Sequence, residues 1–376
     1  MDKTQREILF FQLTANYLWP RLKPLAKRLI SRRCRQCILS ENYVALDESS
    51  LCEICQNSSA EESLETTSAE ERQMVQQLNE RLTGLEGKGR GDYDALCLFS
   101  GGKDSCLVLH ELKERHPALR VLALTVDNFF QSPEAKANVE RTIRLLDTPH
   151  LTYRPPWSVV KKLYRYTLTH VKREDHYPPT DLMDGHLTFF SGYRVARDLG
   201  IPAIIAGLAR AQSQSVLGLK SFSAKFSDLE KVKFSGVGFF DILDEEDFPR
   251  FPSASPTGGE QDPEYILPLY VWNLSEGEVI QRVESLGLIE GRASSPVATN
   301  NQLIPVASLV EAAQFGFTKF EIEFAKMIRQ GRADRFFWLH IFEMLEFSAK
   351  TGRFIDKSVD DILGKLDLKR EDVGLK

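Results

Sequence analysis

The chain has 376 residues, a hydrophobic share of 42%, a charged share of 27% and a net charge of −5. That length and composition suit a soluble globular protein of two or three domains, and the acidic balance argues against a dedicated nucleic-acid binder. No run of about 18 apolar residues marks a membrane span, and residues 1 to 33 lack the apolar core and cleavage site of a secretory signal, so a cytoplasmic setting with reduced cysteines is expected.

Residues 1 to 33 contain REILFFQLTANYLWPRLKPLAKRLISRR, aromatic early and basic late. One reading is a helix packed on the body with its cationic face in solvent. The other is a contact with a protein partner or the inner membrane surface, since basic amphipathic helices favour anionic surfaces.

Four of the six cysteines follow: Cys34-x-x-Cys37, fourteen residues, then Cys52-x-x-Cys55. Two thiolate pairs on tight turns can close a tetrahedral zinc site over residues 34–56, with a short hairpin between them. Such a site leaves no coordination position open, so its zinc would be structural. The same pattern also admits an iron–sulfur or redox site.

Residues 57–92 run acidic and then Gly-rich. Thr67 or Ser68 can cap a helix with Glu70 and Glu71 in its first turn, and GKGRGD leads into the next element.

From residue 93 strands and helices alternate. DALCLF, LRVLALTVD, HLTYRP and IPAIIAGLA read as buried strands, with YILPLYVW as a fifth. SCLVLHELKERH, SPEAKANVERTIRLLD, Trp157 to Thr169 and HLTFFSGYRVARDLG, ended by Gly200, read as helices. This alternation predicts an α/β doubly wound, mainly five-stranded parallel sheet over 93–310. Its ligand belongs beyond the carboxyl ends of the strands.

At such an end stands CLFSGGKDSC. Gly101 and Gly102 let the backbone bend and approach a ligand closely. The following amides form an anion nest, and a helix N-terminus adds partial positive charge. Ser100 and Ser105 offer hydroxyls, Lys103 a charge, and Asp104 a group to orient the loop or hold a metal. The Walker A spacing is absent.

SGGKDS after a buried strand resembles the PP-loop of the N-type ATP pyrophosphatases, or adenine nucleotide α-hydrolases. The resemblance implies cleavage of ATP between its α- and β-phosphates, with Mg2+ offsetting charge. A substrate carbonyl oxygen attacks the α-phosphate, pyrophosphate leaves, and ammonia or sulfur then displaces AMP. By position, Ser100, Gly101, Gly102, Lys103, Asp104 and Ser105 would bind pyrophosphate, Asp127 the adenosine, and Gly207 the α-phosphate region. Arg210 is a candidate for stabilising transition-state charge, or a plain surface ion pair. Asp127 and Gly207 also read as an ordinary turn residue and a strand terminator.

Within that superfamily, the cysteine segment, the loop domain and the run SSPVATNNQLIPVASLVEAAQFGFTKF resemble bacterial N-acetyl sugar amidotransferases of surface-polysaccharide biosynthesis. That family carries Thr-Asn-Cys where this chain has Thr299-Asn300-Asn301. The resemblance implies a nucleotide-sugar substrate and a separate glutaminase or ammonia-channel subunit, because no cysteine here sits where a glutaminase nucleophile would. Thiolation of tRNA or a small molecule is the alternative, with Cys106 at the loop helix as its only candidate sulfur carrier, although packing is the favoured reading of Cys106, and with Cys97 a strand core residue. A non-catalytic zinc-knuckle interaction module is a third reading.

Residues 241–264 form an acidic, Pro/Gly-rich loop, read as a lid or an insertion. Residues 311–376 read as helical and aromatic, with His340 packed in the core.

Overall fold

The computed structural model describes residues 10–11, 13–57, 68–247, 262–289, 300–353 and 356–375. Thr67, residues 248–261 of the acidic loop and Thr299 fall outside them. The chain forms two compact units. One comprises Thr66–Leu163 and Leu182–Asn301; the other comprises Met1–Glu65, Tyr164–Asp181 and Gln302–Lys376. The N-terminal extension, the cysteine segment and the C-terminal helices, expected as separate pieces, therefore share one unit.

The first unit is built on a six-stranded sheet in the order β3-β2-β1-β4-β6-β5. The strands are β1 (Ala95–Leu98), β2 (Val121–Val126), β3 (His150–Tyr153), β4 (Ala203–Ile205), β5 (Ser223–Ala224) and β6 (Glu264–Ile266). Five are parallel, as the alternation predicts; β5 adds a two-residue antiparallel edge. Two residues leave too little pattern for β5 to be read from sequence.

YILPLYVW is a strand only as far as Ile266. Pro268 opens a short helix, Pro268–Trp272, because its fixed φ and missing N–H suit the first helical position.

Every residue of β1 is buried, as a central parallel strand requires. Ala95 and Cys97 join a core formed with the helices Ser68–Gly84, Lys103–Arg115 and Glu276–Ser285. Across the sheet, the β6 side chain of Tyr265 meets the helix Pro179–Asp198: its ring lies 5.5 Å from that of Phe189, and its hydroxyl donates to the Phe189 carbonyl. Helices thus cover both faces.

The cysteine segment shows isolated antiparallel bridges, Arg33 to Ser40 and Leu46 to Cys52, in place of a continuous hairpin ladder. In the same unit, the Arg33 guanidinium is buried between Glu321 (2.5 Å) and Glu346 (3.1 Å). Both carboxylates come from the C-terminal helices Phe320–Arg329 and Arg335–Thr351. His340 is buried there, as expected. No helix among the described residues is long and apolar enough to cross a membrane.

Asp94, immediately before β1, is fully buried. It accepts from the Gly89 amide (2.9 Å) and from Arg120 through Nε (3.0 Å) and a terminal guanidinium nitrogen (2.7 Å). Burial opposes its ionisation, but the Arg120 and backbone bonds outweigh it and hold the carboxyl well below the usual range. A depressed folded pKa contributes stability that is present above the unfolded value and lost as pH falls through the folded one. Asp94→Ala should therefore lower unfolding free energy by about 1–2 kcal/mol at neutral pH. Denaturant titrations across pH should show the gap between wild type and variant narrowing below about pH 4.

Candidate functional site

The order of the strands places a topological switch point between β1 and β4: the chain runs outward through β2 and β3, then returns to the other side of β1. The loop after β1 is Phe99–Gly102, and Lys103 starts the helix Lys103–Arg115.

Each carbonyl of this loop has a donor. Thr125 Oγ1 donates to the Phe99 carbonyl (2.6 Å), Gln131 Nε2 to Ser100 (3.0 Å), Asn138 Nδ2 to Gly101 (3.0 Å), and Ser105 Oγ to Gly102 (3.0 Å). The first helical amides have no acceptor within the helix itself. Satisfied carbonyls beside helix-end amides make a nest suited to an anion.

Gly101 has φ 76°, and a Cβ there would lie 2.2 Å from the Ala135 carbonyl oxygen. Both facts demand glycine. Gly207, just beyond β4, packs on the start of the loop helix, where a Cβ would lie 3.1 Å from Asp104 C and Ser105 N. Both glycines and the helix start therefore meet at the switch point.

Ser105 is mostly buried and ties the loop together: its Oγ also accepts from the Ser100 amide (3.2 Å). Lys103 Nζ lies 2.9 Å from Asp104 and 3.7 Å from Glu276, the latter in the first turn of Glu276–Ser285. Burial pushes the Glu276 carboxyl up, against the pull of Lys103.

Asp127 follows β2 and is buried. Its carboxylate accepts from the Phe129 amide (2.9 Å) and from Arg154 (2.5 and 3.1 Å). Burial again opposes ionisation, and the Arg154 and Phe129 bonds prevail, holding the group below its ordinary value. Phe129 has φ 70° with the Arg154 guanidinium 5.2 Å above its ring. A bulky residue in the left-handed region is strained, and such strain concentrates at functional sites.

Arg210 is committed elsewhere. Its Nε donates to the Tyr270 carbonyl (2.7 Å), and the guanidinium lies over the Tyr270 ring. This placement supports a role in holding the 268–272 helix.

Asn300 stands out in the sequence only as part of a motif, yet its carbonyl accepts from the Ser132 amide (2.8 Å), and its side chain lies 4.0 Å from a Cβ built on Gly102. Gln131, Asn138, Arg154 and Glu276 also escaped the sequence reading, because their signal is spatial. None lies within 20 residues of the loop in the chain.

The two remaining thiols of this unit are fully buried. Cys106 accepts from Thr142 Oγ1 (3.6 Å), and burial pushes its thiol up to about 12. Burial raises Cys97 as well.

The four cysteines of the other unit converge: their Sγ atoms all lie within 4.8 Å of one another, and Cys37 and Cys52 are 3.8 Å apart. A tetrahedral ion with bonds of about 2.3 Å needs sulfurs about 3.8 Å apart, so the set fits a single ion. The Leu39 and Cys52 amides donate to Cys37 and Cys34 sulfurs (3.5 and 3.4 Å), which supports negative charge there. Arg335, unrecognised in the sequence, donates to the Cys37 (2.6 Å) and Cys34 (2.9 Å) carbonyls and anchors the first knuckle to the Arg335–Thr351 helix.

No protein-family profile and no curated protein sequence matches the chain. Among solved structures, it is similar to a U34-tRNA thiolase, NcsA, from Methanococcus maripaludis with its [4Fe-4S] cluster, at 12% identity and TM-score 0.39, covering 91% of each chain. It is similar to NMN synthetase from Francisella tularensis, at 13% identity and TM-score 0.38, covering 80% of this chain and 97% of that one. It is also similar to an NH3-dependent NAD synthetase from Campylobacter jejuni, at 11% identity and TM-score 0.34, covering 70% and 94%.

Gly101→Ala should cost about 1–3 kcal/mol, since the new Cβ meets a backbone carbonyl in a left-handed conformation. Denaturant midpoints compared with those of Gly218→Ala, also at positive φ but with nothing near its Cβ, isolate the steric part.

Proposed function

We propose that this protein is a PP-loop ATP pyrophosphatase that adenylates an amide or carbonyl oxygen and replaces that oxygen with nitrogen. The observation that carries the reading is the loop Phe99–Gly102, whose four carbonyls are all occupied by protein donors and which leads into the helix start at the sheet's switch point. Such a nest binds the leaving pyrophosphate through Ser100, Gly101, Gly102, Lys103, Asp104 and Ser105. Asp127 and its Phe129 turn hold the adenosine, and the close approach of Gly207 leaves room for the α-phosphate.

The substrate oxygen attacks the α-phosphorus and the bridging bond to the β-phosphate breaks. Pyrophosphate carries away the negative charge, which Lys103 offsets on leaving its carboxylate partners. Ammonia then adds to the adenylated carbon, AMP departs with the oxygen, and a proton is lost. Asp104 would hold Mg2+, which would supply further charge compensation on the phosphates. Zn2+ fits Cys34, Cys37, Cys52 and Cys55, where four thiolates close its coordination and serve structure.

The burial of Cys97 and Cys106 supports nitrogen over sulfur. A thiol raised to about 12 carries little thiolate at neutral pH, and a persulfide needs an accessible one. Ammonia then comes from a separate glutaminase. The acceptor we favour is an acetamido group on a nucleotide-linked sugar, on the strength of the motif resemblance, and tRNA is the less favoured acceptor. An ATP-using enzyme with reduced thiols belongs in the cytoplasm.

Lys103→Ala and Asp104→Ala should lower pyrophosphate release by at least about 100-fold, the scale of a lost electrostatic contact in a transition state, with unfolding midpoints little changed. Cys106→Ala should keep activity with ammonium as nitrogen donor. A folded but inactive Cys106→Ala enzyme, with a persulfide on the wild-type residue in mass spectrometry, would replace nitrogen by sulfur.

Elemental analysis should find one zinc per chain, and X-ray absorption should find four sulfurs at about 2.3 Å. Cys52→Ser should lose the metal. A multi-iron chromophore in wild-type protein would overturn the zinc assignment.

A further inference from the structure

The N-terminal segment has two apolar faces where a packed amphipathic helix needs one. A wide π turn, Thr14–Leu18, leads directly into the helix Trp19–Ala26. Its inner face carries Phe11, Ala15, Trp19 and Ala26, all buried. Trp19 packs on Phe347 with ring centroids 5.2 Å apart and donates from Nε1 to Glu343 (3.0 Å). Lys23 reaches the same carboxylate, and Ser31 bonds Glu346 through its amide and hydroxyl. The segment is therefore docked on the Arg335–Thr351 helix by one side only.

The other side is apolar too. Phe10, Leu13, Tyr17, Leu18, Leu22 and Leu25 are exposed, Tyr17 at 72% and Leu25 at 88%. They recur every one to four residues, as one outward stripe does across a π turn and the helix that follows it. Leu29 extends the row into the next turn. A continuous apolar stripe in water marks a binding surface.

The charge of the segment says what covers it. Residues 13 to 33 contain six Lys and Arg and no Asp or Glu, within a chain whose net charge is −5. Three of the six are paired internally, Lys23 with Glu343, Arg32 with Glu41, and Arg33 with Glu321 and Glu346. Arg21, Lys27 and Arg28 are exposed beside the stripe. A second copy meeting this face across a two-fold axis would oppose these cations to themselves. An anionic bilayer matches both parts, taking the apolar side chains below its headgroups and the cations at its phosphates.

We propose that residues 10–29 form an in-plane membrane-surface anchor for anionic lipid. The anchor lies flat, with its inner face still docked through Trp19 on the Arg335–Thr351 helix, and it spans nothing. It is independent of the nucleotide chemistry proposed above.

The full chain, without nucleotide, is sedimented with vesicles of phosphatidylcholine alone or of phosphatidylcholine with phosphatidylglycerol. Binding to the anionic vesicles should exceed binding to the neutral ones by about tenfold or more at low salt and fall as salt screens it. Leu25→Glu, and separately Tyr17→Ser, should each reduce binding several-fold, with melting temperatures unchanged because neither side chain packs inward. The triple change Arg21→Glu, Lys27→Glu, Arg28→Glu should abolish the preference for anionic lipid while the apolar stripe remains. Three results would overturn the proposal: no binding of wild type to anionic vesicles, equal binding by Leu25→Glu, or a wild-type dimer in analytical ultracentrifugation that Leu25→Glu dissociates.

Discussion

The candidate site depends on one constraint: four consecutive backbone carbonyls, Phe99 to Gly102, are each held by a protein donor. A buried carbonyl left unpaired costs free energy, and a carbonyl beside a phosphate would repel it. Binding all four inward resolves both problems and gives the anion nothing but donors. Three of those donors, Thr125, Gln131 and Asn138, come from β2 and the residues after it. The nest therefore exists only because β1 and β2 pair in their observed register, Leu98 opposite Leu124. A slip of one residue would turn Thr125 to the other face and strip the Phe99 carbonyl of its partner.

The charges around the loop are paired within the protein. Lys103 rests between Asp104 and Glu276, and Arg154 rests on Asp127. A polyanion arriving at the nest competes with carboxylates for the lysine, so part of its binding energy goes into separating these pairs. The strained Phe129 backbone is similar in kind: Asp127 and Arg154 hold a conformation that phenylalanine would not adopt alone.

The second unit solves a different problem. The cysteine segment has little regular structure of its own, and short segments bury too little apolar surface to be stable. Its cohesion comes from three sources: the four converging sulfurs, the Arg335 bonds to the Cys34 and Cys37 carbonyls, and the buried Arg33. Desolvating Arg33 is expensive, and Glu321 and Glu346 must both be in place to offset it. The cysteine segment and the C-terminal helices are held together in this way, since Arg33 and Arg335 bond across both.

The sequence by itself determined what local chemistry can encode. Alternating strands and helices predicted the parallel sheet, and SPEAKANVERTIRLLD read as a helix, which the structure caps through Ser132 Oγ. SGGKDS marked the loop, and paired Cys-x-x-Cys marked a converging set of thiols. Spacing within a few residues is enough for each, because a turn, a helix cap or a knuckle is set by neighbours in the chain. Tertiary structure alone decided the rest. It brought Gln131, Asn138, Glu276 and Asn300 to the loop, buried Cys106 and tied Arg210 to the Tyr270 carbonyl. It also left an apolar stripe facing outward on residues 10–29. Those outcomes rest on contacts between segments tens to hundreds of residues apart, and no local pattern records which donor will meet which carbonyl once the sheet has closed.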